Sequence, residues 1–151
     1  MNIRPATNSD SERAKYVVFS VLKEYGLQPD SSGIDQDIDL IEETYFCDDG
    51  FFGVVEVDGS IVATFGLQKV NTTTCELRKM YLLSCQRGRG LGKKIIEFAL
   101  AKAKELGYSH VILETASPLK EAINLYKKYG FKHYTPEHLS WRCDQAFEIY
   151  L

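Results

Sequence analysis

A run of glycines and basic residues in the middle of the chain has the residue types that bind an anionic phosphate. Arg87-Gly88-Arg89-Gly90-Leu91-Gly92-Lys93-Lys94 lies between a predicted strand and a predicted helix. Glycines let the backbone approach a ligand closely, and free amides at a helix N-terminus favour negative charge. From Arg78 to Lys94 there are six basic side chains and no acidic one, although the whole chain has a net charge of −3. This local excess predicts a polyanionic ligand rather than a solvated turn.

The spacing of these glycines excludes two common phosphate-binding motifs. A P-loop needs Gly-x-x-x-x-Gly-Lys-Ser/Thr, but Arg87 stands at the first glycine position and Lys94 at the hydroxyl position. A dinucleotide fingerprint needs a third glycine, and that position holds Lys93 or Ile95. The pattern that remains is Arg87-x-x-Gly90-x-Gly92.

This pattern resembles the acyl-CoA signature Gln/Arg-x-x-Gly-x-Gly/Ala of the GCN5-related N-acetyltransferase (GNAT) superfamily. Downstream, residues 122–131 resemble the superfamily segment Ala-x-x-x-Tyr-x-x-x-Gly-Phe, and the opening Ile-Arg-Pro-Ala and an Asp-Gly hairpin also fit. The resemblance covers nearly the whole chain and is strongest over residues 76–131. It implies an enzyme that moves the acetyl group of acetyl-CoA to a primary amine by direct attack through a tetrahedral intermediate. The implied acceptor is a small molecule or an amino acid, with a peptide or protein amine as a further option.

The resemblance also implies which residues hold the coenzyme. The strand before the loop should splay from its parallel neighbour, so that the pantetheine arm pairs with backbone like an added strand. The loop amides should hold the pyrophosphate, and the side chain of Arg87, Arg89 or Lys93 should reach the ribose phosphate. One position departs from the family, because Leu119 stands where many members have a cofactor-contacting Asn. The predicted coenzyme-binding residues are Met80, Tyr81, Leu82, Arg87, Gly88, Arg89, Gly90, Leu91, Gly92 and Lys93.

Tyr126 is the general acid that the resemblance implies, with its hydroxyl near the CoA sulfur. A phenol with a pKa of about 10 stays protonated at neutral pH and can donate to a departing thiolate. The alternative is structural, because Tyr126 continues the apolar stripe of its helix with Ala122 and Ile123. Tyr129, one turn further on, is a weaker substitute.

Glu76 is the candidate base, because histone-acetylating members place a catalytic glutamate at the corresponding strand position. A buried carboxylate with a raised pKa can take the amine proton directly or through water. The other interpretation is an ion pair with Arg78, which shares the same face of the strand. The backbone N–H of Leu82 is the predicted donor to the oxyanion.

The acceptor is expected to bind between residues 26–36, with the helix that follows, and residues 134–145. The second segment contains three side chains with possible roles. His138 is either a base or a surface residue, and Arg142 could hold a carboxylate of the acceptor. Cys143 could act as an acetyl-relay nucleophile, but no Cys/His/Asp spacing supports that role.

The elements that position these residues follow from hydrophobic periodicity and turn residues. Strands are predicted at 3–6, 51–57, 61–70, 74–83, 110–114, 131–134 and 146–151, and helices at 11–25, 37–46, 91–106 and 120–129. An antiparallel meander followed by a β-loop-α-β unit predicts an α/β (α+β) fold with a mixed, mostly antiparallel central sheet flanked by helices. The resemblance adds splayed fourth and fifth strands. Residues 1–151 are predicted to form a single acetyltransferase domain.

Length, charge and cysteine content limit the classes of protein to which this chain can belong. The 151 residues match the size of one domain, about 100–150 residues. No apolar run approaches the roughly 20 residues needed to cross a bilayer, and the N-terminus lacks a signal-peptide core, so a cytoplasmic protein without membrane contact is predicted. The net charge of −3 disfavours nucleic acid as a partner. Four scattered cysteines without a CxxC pair predict reduced thiols and no metal site.

Two competing functions remain beside the enzyme. A non-catalytic acyl-CoA-binding sensor or interaction module would keep the fold without turnover, but the presence of both Tyr126 and Glu76 favours the enzyme. A nucleic-acid binder that uses Arg87 and Arg89 is disfavoured by the net charge and by the lack of an aromatic-basic surface pattern. Homodimers are common in the superfamily, although no residue pattern here identifies an interface.

Overall fold

A seven-stranded sheet forms the centre of the protein, with its strands in the order β1-β2-β3-β4-β5-β7-β6. The computed structural model describes all 151 residues. The strands are β1 (Asn2–Pro5), β2 (Phe51–Val57), β3 (Ser60–Lys69), β4 (Thr74–Leu82), β5 (His110–Thr115), β6 (Lys132–His133) and β7 (Gln145–Tyr150). The α-helices are α1 (Ser11–Glu24), α2 (Ile41–Thr44), α3 (Leu91–Glu105) and α4 (Lys120–Lys128). None of the helices is long and apolar enough to cross a membrane.

The pairing of the strands confirms the predicted fold class. Every neighbouring pair is antiparallel except β4 and β5, which run parallel. These two strands pair only from Thr74 to Glu76 on β4 and then diverge, which is the predicted splay. The β2–β3 hairpin turns at Asp58 and Gly59, both with positive φ, as an Asp-Gly turn requires.

Two apolar cores lie on opposite faces of the sheet, because alternate residues of each strand point to opposite sides. On β2, Phe51 and Val55 belong to the core beneath α3 and α4. Phe52 and Val54 belong to the core beneath α1 and the segment that contains α2. The sheet is therefore covered on both faces, and the gap between β4 and β5 opens within this layered structure.

The helix predicted at 37–46 is wrong, because the segment is broken into short pieces. Single turns of 3-10 helix at Gln36–Ile38 and Phe46–Asp48 flank the four-residue α2. Leu40 has non-helical backbone angles, and α2 starts anew at Ile41, where the Asn8 side chain accepts from the N–H of Glu42 at 3.0 Å. The break lets Asp37 point into the protein, where the hydroxyl of the fully buried Tyr45 donates to its carboxylate.

Candidate active site

A cavity of about 560 Å³ occupies the gap where β4 and β5 diverge. Its walls come from β4, from the loop before α3 and from α4. The cavity is also lined by residues of two loop segments, Leu27 and Ile34 from the first and Ser140, Arg142 and Cys143 from the second. The structure thus brings both predicted acceptor segments to the cavity that the glycine loop also lines. The part lined by these segments is called the acceptor end, and the part lined by the glycine loop is called the coenzyme end.

Backbone groups of β4 face this gap. The N–H of Leu83 donates to the carbonyl of Val62 on β3 at 2.9 Å. Because successive residues of a strand direct their N–H groups to opposite edges, the N–H of Leu82 points toward the edge that β5 has left. Met80, Tyr81 and Leu82, three of the predicted coenzyme-binding residues, line the cavity.

The glycine loop makes an open cradle of backbone at the start of α3. Gly88 and Gly90 have φ of +79° and +77°, which L-residues with side chains rarely adopt, and a Cβ on either would meet no atom within 4 Å. Gly90 is also the N-terminal cap of α3, so the free amides of the first turn follow it directly. Gly88, Gly90, Leu91 and Gly92 all line the cavity. This geometry suits an anionic ligand held by amides.

The three candidate cations near the loop differ in their availability. Arg87 donates from Nη2 to the carbonyl of Leu82 at 2.8 Å and pairs with Glu24 at 2.9 Å, so its guanidinium is engaged within the chain. Lys93 is exposed and lines the cavity, whereas Arg89 is exposed but does not. Of the three, Lys93 therefore has the most favourable position for a ribose phosphate.

Tyr126 lies on the cavity wall contributed by α4. Its side chain is 6% exposed and packs against the rings of Phe131 and Phe147. No group of the chain makes a hydrogen bond to its hydroxyl, while burial raises the pKa of this phenol well above its usual value. The ring therefore packs in the core, as the structural interpretation predicts, and the hydroxyl is free for the catalytic role that the resemblance implies. Tyr129 does not line the cavity.

Glu76 also lines the cavity, at the last paired position of β4. Burial, followed by repulsion from Glu114, raises the pKa of Glu76, although Arg78 opposes the shift. The alternative ion pair with Arg78 does not form, because that guanidinium donates to Gln68 Oε1 at 2.7 Å and to the carbonyl of Ile34 at 2.9 Å. Glu76 is left as a half-buried carboxylate without a hydrogen-bond partner.

A buried ion network forms the base of the acceptor end. Lys79, in a bulge of β4 with φ of +54°, places its Nζ 3.2 Å from Asp35 and 3.0 Å from Asp37. Arg142 binds the same Asp35 with both terminal nitrogens at 2.8 Å. The side chains of Asp35, Lys79 and Arg142 are each 5% exposed or less. The network joins three segments that are distant in sequence into one wall.

The structure corrects the role expected for Arg142 and distinguishes between the two interpretations of His138. Arg142 is occupied by Asp35 and is not free to hold a carboxylate of the acceptor. His138 is exposed and lies outside the cavity, so it is a surface residue. Cys143 does line the cavity, but burial raises the pKa of its thiol, which disfavours the nucleophilic thiolate.

Sequence reasoning missed Glu114 and Ser140, which both line the cavity. The backbone N–H and the hydroxyl of Ser140 donate to Glu114 Oε1 at 2.8 and 3.0 Å. Alternation along β5 places Glu114 on the same face as Ile112, which is the register partner of Glu76. The sequence alone could not show that Glu114 lies near Glu76, because this requires the order of the strands in the sheet.

Leu119 caps α4 and also lines the cavity, whereas Asn124 is exposed and does not. No group of three His, Cys, Asp or Glu residues could hold a metal ion.

Known proteins resemble the chain in both sequence and structure. The model of the Acetyltransferase (GNAT) family matches residues 19–131. YjgM of Escherichia coli strain K12, named as an uncharacterised N-acetyltransferase, is 36% identical over 136 residues, which are 87% of this chain and 81% of that protein. Other curated relatives are matched over only 29% to 54% of their own length.

Solved structures share the fold at lower identity. A GNAT-family acetyltransferase from Staphylococcus aureus Mu50 superimposes with a TM-score of 0.91 at 22% identity, covering 99% of this chain and 98% of the other. A GNAT-family acetyltransferase from Elizabethkingia anophelis, solved with acetyl-CoA bound, gives 0.71 at 17% identity over 99% and 97% of the two chains. The family match, the YjgM relationship and the splayed sheet agree. The chain therefore belongs to the GNAT family, which confirms the prediction of an acetyl-CoA-dependent N-acetyltransferase.

Proposed function

We propose that this protein transfers the acetyl group of acetyl-CoA to a primary amine of a small molecule or an amino acid, with a peptide amine as a further option. The observation that carries the proposal is a single cavity that has the glycine loop at one end and both Glu76 and Tyr126 on its walls. An anion-binding end, a carboxylate and a phenol are the three groups that acetyl transfer to an amine needs.

The coenzyme would be held mostly by backbone. The amides from Gly88 to Gly92 would bind the diphosphate, and Lys93 would bind the ribose phosphate. The edge of β4 at Met80 would pair with the pantetheine amides. When bound, acetyl-CoA supplies an activated thioester. The open cradle at Gly88 and Gly90, where a Cβ would meet nothing, is the feature of this chain that fits such a ligand.

Glu76 is proposed to remove the proton from the acceptor. An alkylammonium with a pKa near 10.4 is almost fully charged at pH 7 and cannot attack a carbonyl until it loses a proton. The raised pKa of Glu76 brings this carboxylate closer to the working pH, which improves it as a base. Its freedom from Arg78 leaves the carboxylate oxygens available to the amine or to a bridging water.

The remaining two roles fall to Leu82 and Tyr126. The N–H of Leu82, directed into the gap, is placed to donate to the carbonyl oxygen as it gains negative charge. The hydroxyl of Tyr126, kept protonated by its raised pKa, gives its proton to the thiolate as the C–S bond breaks. The amine gains the acetyl group, and free CoA leaves as the thiol.

Coenzyme binding and turnover can be tested separately on the full chain. Acetyl-CoA should raise the melting temperature, because it binds the folded state alone. A thiol-release assay over a panel of primary amines should then detect an acceptor. Stabilisation by acetyl-CoA without turnover on any amine would favour the sensor or interaction module, and no stabilisation at all would contradict both.

The proposal extends to the organisation of the protein. We infer that residues 1–151 act as one acetyltransferase domain, since the family match, the sheet and the cavity draw on nearly the whole length. The cytoplasmic location, the absence of a nucleic-acid partner and a homodimeric state stay predictions. Size-exclusion chromatography with light scattering would decide the last of these.

A further inference from the structure

The cationic side chains at the acceptor end are all engaged within the chain. Arg142 gives both terminal nitrogens to Asp35, and Lys79 lies between Asp35 and Asp37. The guanidinium of Arg78 donates to Gln68 and to the carbonyl of Ile34. Two of the three cations at this end are thus paired with carboxylates of the chain, and the third is directed to two neutral oxygens.

The carboxylates of Glu76 and Glu114, in contrast, face the cavity with unused hydrogen-bonding capacity. Glu76 has no hydrogen-bond partner, and Ser140 fixes Glu114 through Oε1 alone, which leaves Oε2 free. The two side chains stand on the neighbouring strands β4 and β5, on the same face of the sheet. Burial is the main cause of the raised pKa of Glu76, Arg78 opposes it, and repulsion from Glu114 adds to it, so a second cation between the two carboxylates would relieve that repulsion.

A third polar side chain on the wall of this cavity has unused hydrogen-bonding capacity. Tyr126 is only 6% exposed and lines the same cavity, and its hydroxyl has no hydrogen-bond partner in the chain. The hydroxyl is therefore available to a ligand that enters the cavity. Trp141 donates to Asp30, and Arg142 donates to Gln28 and Asp35, so the two flanking segments are bound together.

We propose that the acceptor is an aliphatic diamine, which presents one amino group to Glu76 while Glu114 holds the other as an ammonium ion. The inference rests on the proposed function and names the substrate class of the same site. Two carboxylates in a partly desolvated cavity attract a dication and repel the carboxylate of an amino acid. Ser140 fixes the orientation of Glu114, so this carboxylate acts as a positioned anchor rather than a mobile charge.

The transfer balances with the groups already named. The proximal ammonium gives its proton to Glu76, and the nitrogen lone pair attacks the thioester carbonyl. The C–S bond then breaks, and the thiolate takes the proton of Tyr126. The products are a mono-N-acetyl diamine, whose distal ammonium is unchanged, and CoA as its thiol. The acetylated nitrogen loses its second proton to the phenolate of Tyr126, directly or through water, and Glu76 releases its proton to solvent.

The first test compares acceptors of matched length at saturating acetyl-CoA. The panel contains α,ω-diamines of three to six carbons, each with the monoamine and the ω-amino acid of the same length, and a short lysine-containing peptide. A hydrogen bond between charged groups is worth about 1.5–3 kcal/mol, so the best diamine should exceed its monoamine about tenfold or more in kcat/KM. The ω-amino acid should be poorer still.

The second test removes the anchor and keeps its shape. Glu114→Gln retains an oxygen that can accept from Ser140, so the fold should persist, while the ratio of kcat/KM for the diamine to kcat/KM for the monoamine falls to about twofold or less. Glu12→Gln, at an exposed position of α1, is the matched control for the loss of one negative charge and should keep the full advantage. A purely structural role of Glu114 would lower turnover of diamine and monoamine alike.

The outcomes separate this inference from the function on which it rests. Turnover of a monoamine, an ω-amino acid or the lysine peptide at a kcat/KM equal to or above that of every diamine would overturn the diamine inference and leave the acetyltransferase standing. If no amine is acetylated, calorimetric titration of 1,4-diaminobutane into the CoA-loaded protein still decides. Binding that Glu114→Gln removes would support the inference, and absence of binding would overturn it.

Discussion

The two ends of the cavity are formed by different kinds of chemical group. The coenzyme end consists of backbone amides, a free strand edge and glycines with positive φ, and almost all of it comes from residues 80–92. The acceptor end consists of charged side chains from three distant segments, joined through Asp35, Lys79 and Arg142. A ligand common to a family can be held by a short local motif, whereas the pocket for a particular acceptor is assembled from side chains that meet only in the folded protein.

The largest expected effect lies at the coenzyme end. Gly90→Glu places a side chain at φ +77° and a negative charge against the diphosphate. At an effective dielectric constant of about 20, like charges about 4 Å apart repel by about 4 kcal/mol, so affinity for acetyl-CoA should fall about a thousandfold by calorimetry. Gly107→Glu is the control, because Gly107 has φ +96° with nothing within 4 Å and lies outside the cavity. Equal loss in both variants would contradict a specific cradle.

A substitution at the acceptor end should instead lower the free energy of unfolding. Arg142→Ala leaves Asp35 with Lys79 as its only cationic partner, in a site where Asp35 is fully buried. Removal of one member of a buried ion pair typically costs about 3–5 kcal/mol, which urea unfolding would measure. Arg89→Ala, at an exposed position without a partner, should change the free energy of unfolding by less than about 0.5 kcal/mol. A loss below about 1 kcal/mol for Arg142→Ala would mean that the network does not hold the wall together.

Tyr126→Phe tests the chemistry that links the two ends. Loss of the hydroxyl should lower kcat about a hundredfold while the affinity for acetyl-CoA stays nearly unchanged, because the ring still packs against Phe131 and Phe147. Tyr129→Phe should keep its activity, since Tyr129 does not line the cavity. Unchanged kcat in Tyr126→Phe would remove this tyrosine as the acid.

The smallest effect concerns the pH dependence of kcat. Glu76 acts as a base only when ionised, and burial together with Glu114 favours its protonated form, so its pKa lies above the ordinary value. Activity should therefore fall as the pH drops through this raised pKa. Glu114→Gln removes the repulsion and should move the acidic limb to lower pH, whereas Glu76→Gln should abolish that limb. A limb that stays in place in both variants would assign the base to another group.

The turns and elements around the proposed coenzyme end can be predicted from the sequence for a physical reason. Turns and amphipathic elements are local properties, so the Asp58-Gly59 hairpin, the glycine loop and the helix after it can be read from neighbouring residues. The splay of β4 from β5 followed from the resemblance, and the structure confirms it.

The acceptor end could not be predicted in the same way. The helix expected at 37–46 breaks where Asp37 turns inward to Lys79 of β4 and to the hydroxyl of Tyr45, contacts that no local pattern specifies. The pairing of Asp35 with Arg142 crosses 107 residues, and it reverses the expected role of Arg142 from a ligand for the acceptor to a structural cation. Glu114 gained a role only when the strand order placed it beside Glu76.

A crystal structure of the complex with acetyl-CoA would test the central claim most directly. The account predicts that the diphosphate accepts hydrogen bonds from the amides between Gly88 and Gly92, at about 2.7–3.2 Å, with the sulfur beside the hydroxyl of Tyr126. A coenzyme bound outside the gap between β4 and β5, or one whose sulfur lies far from Tyr126, would contradict it.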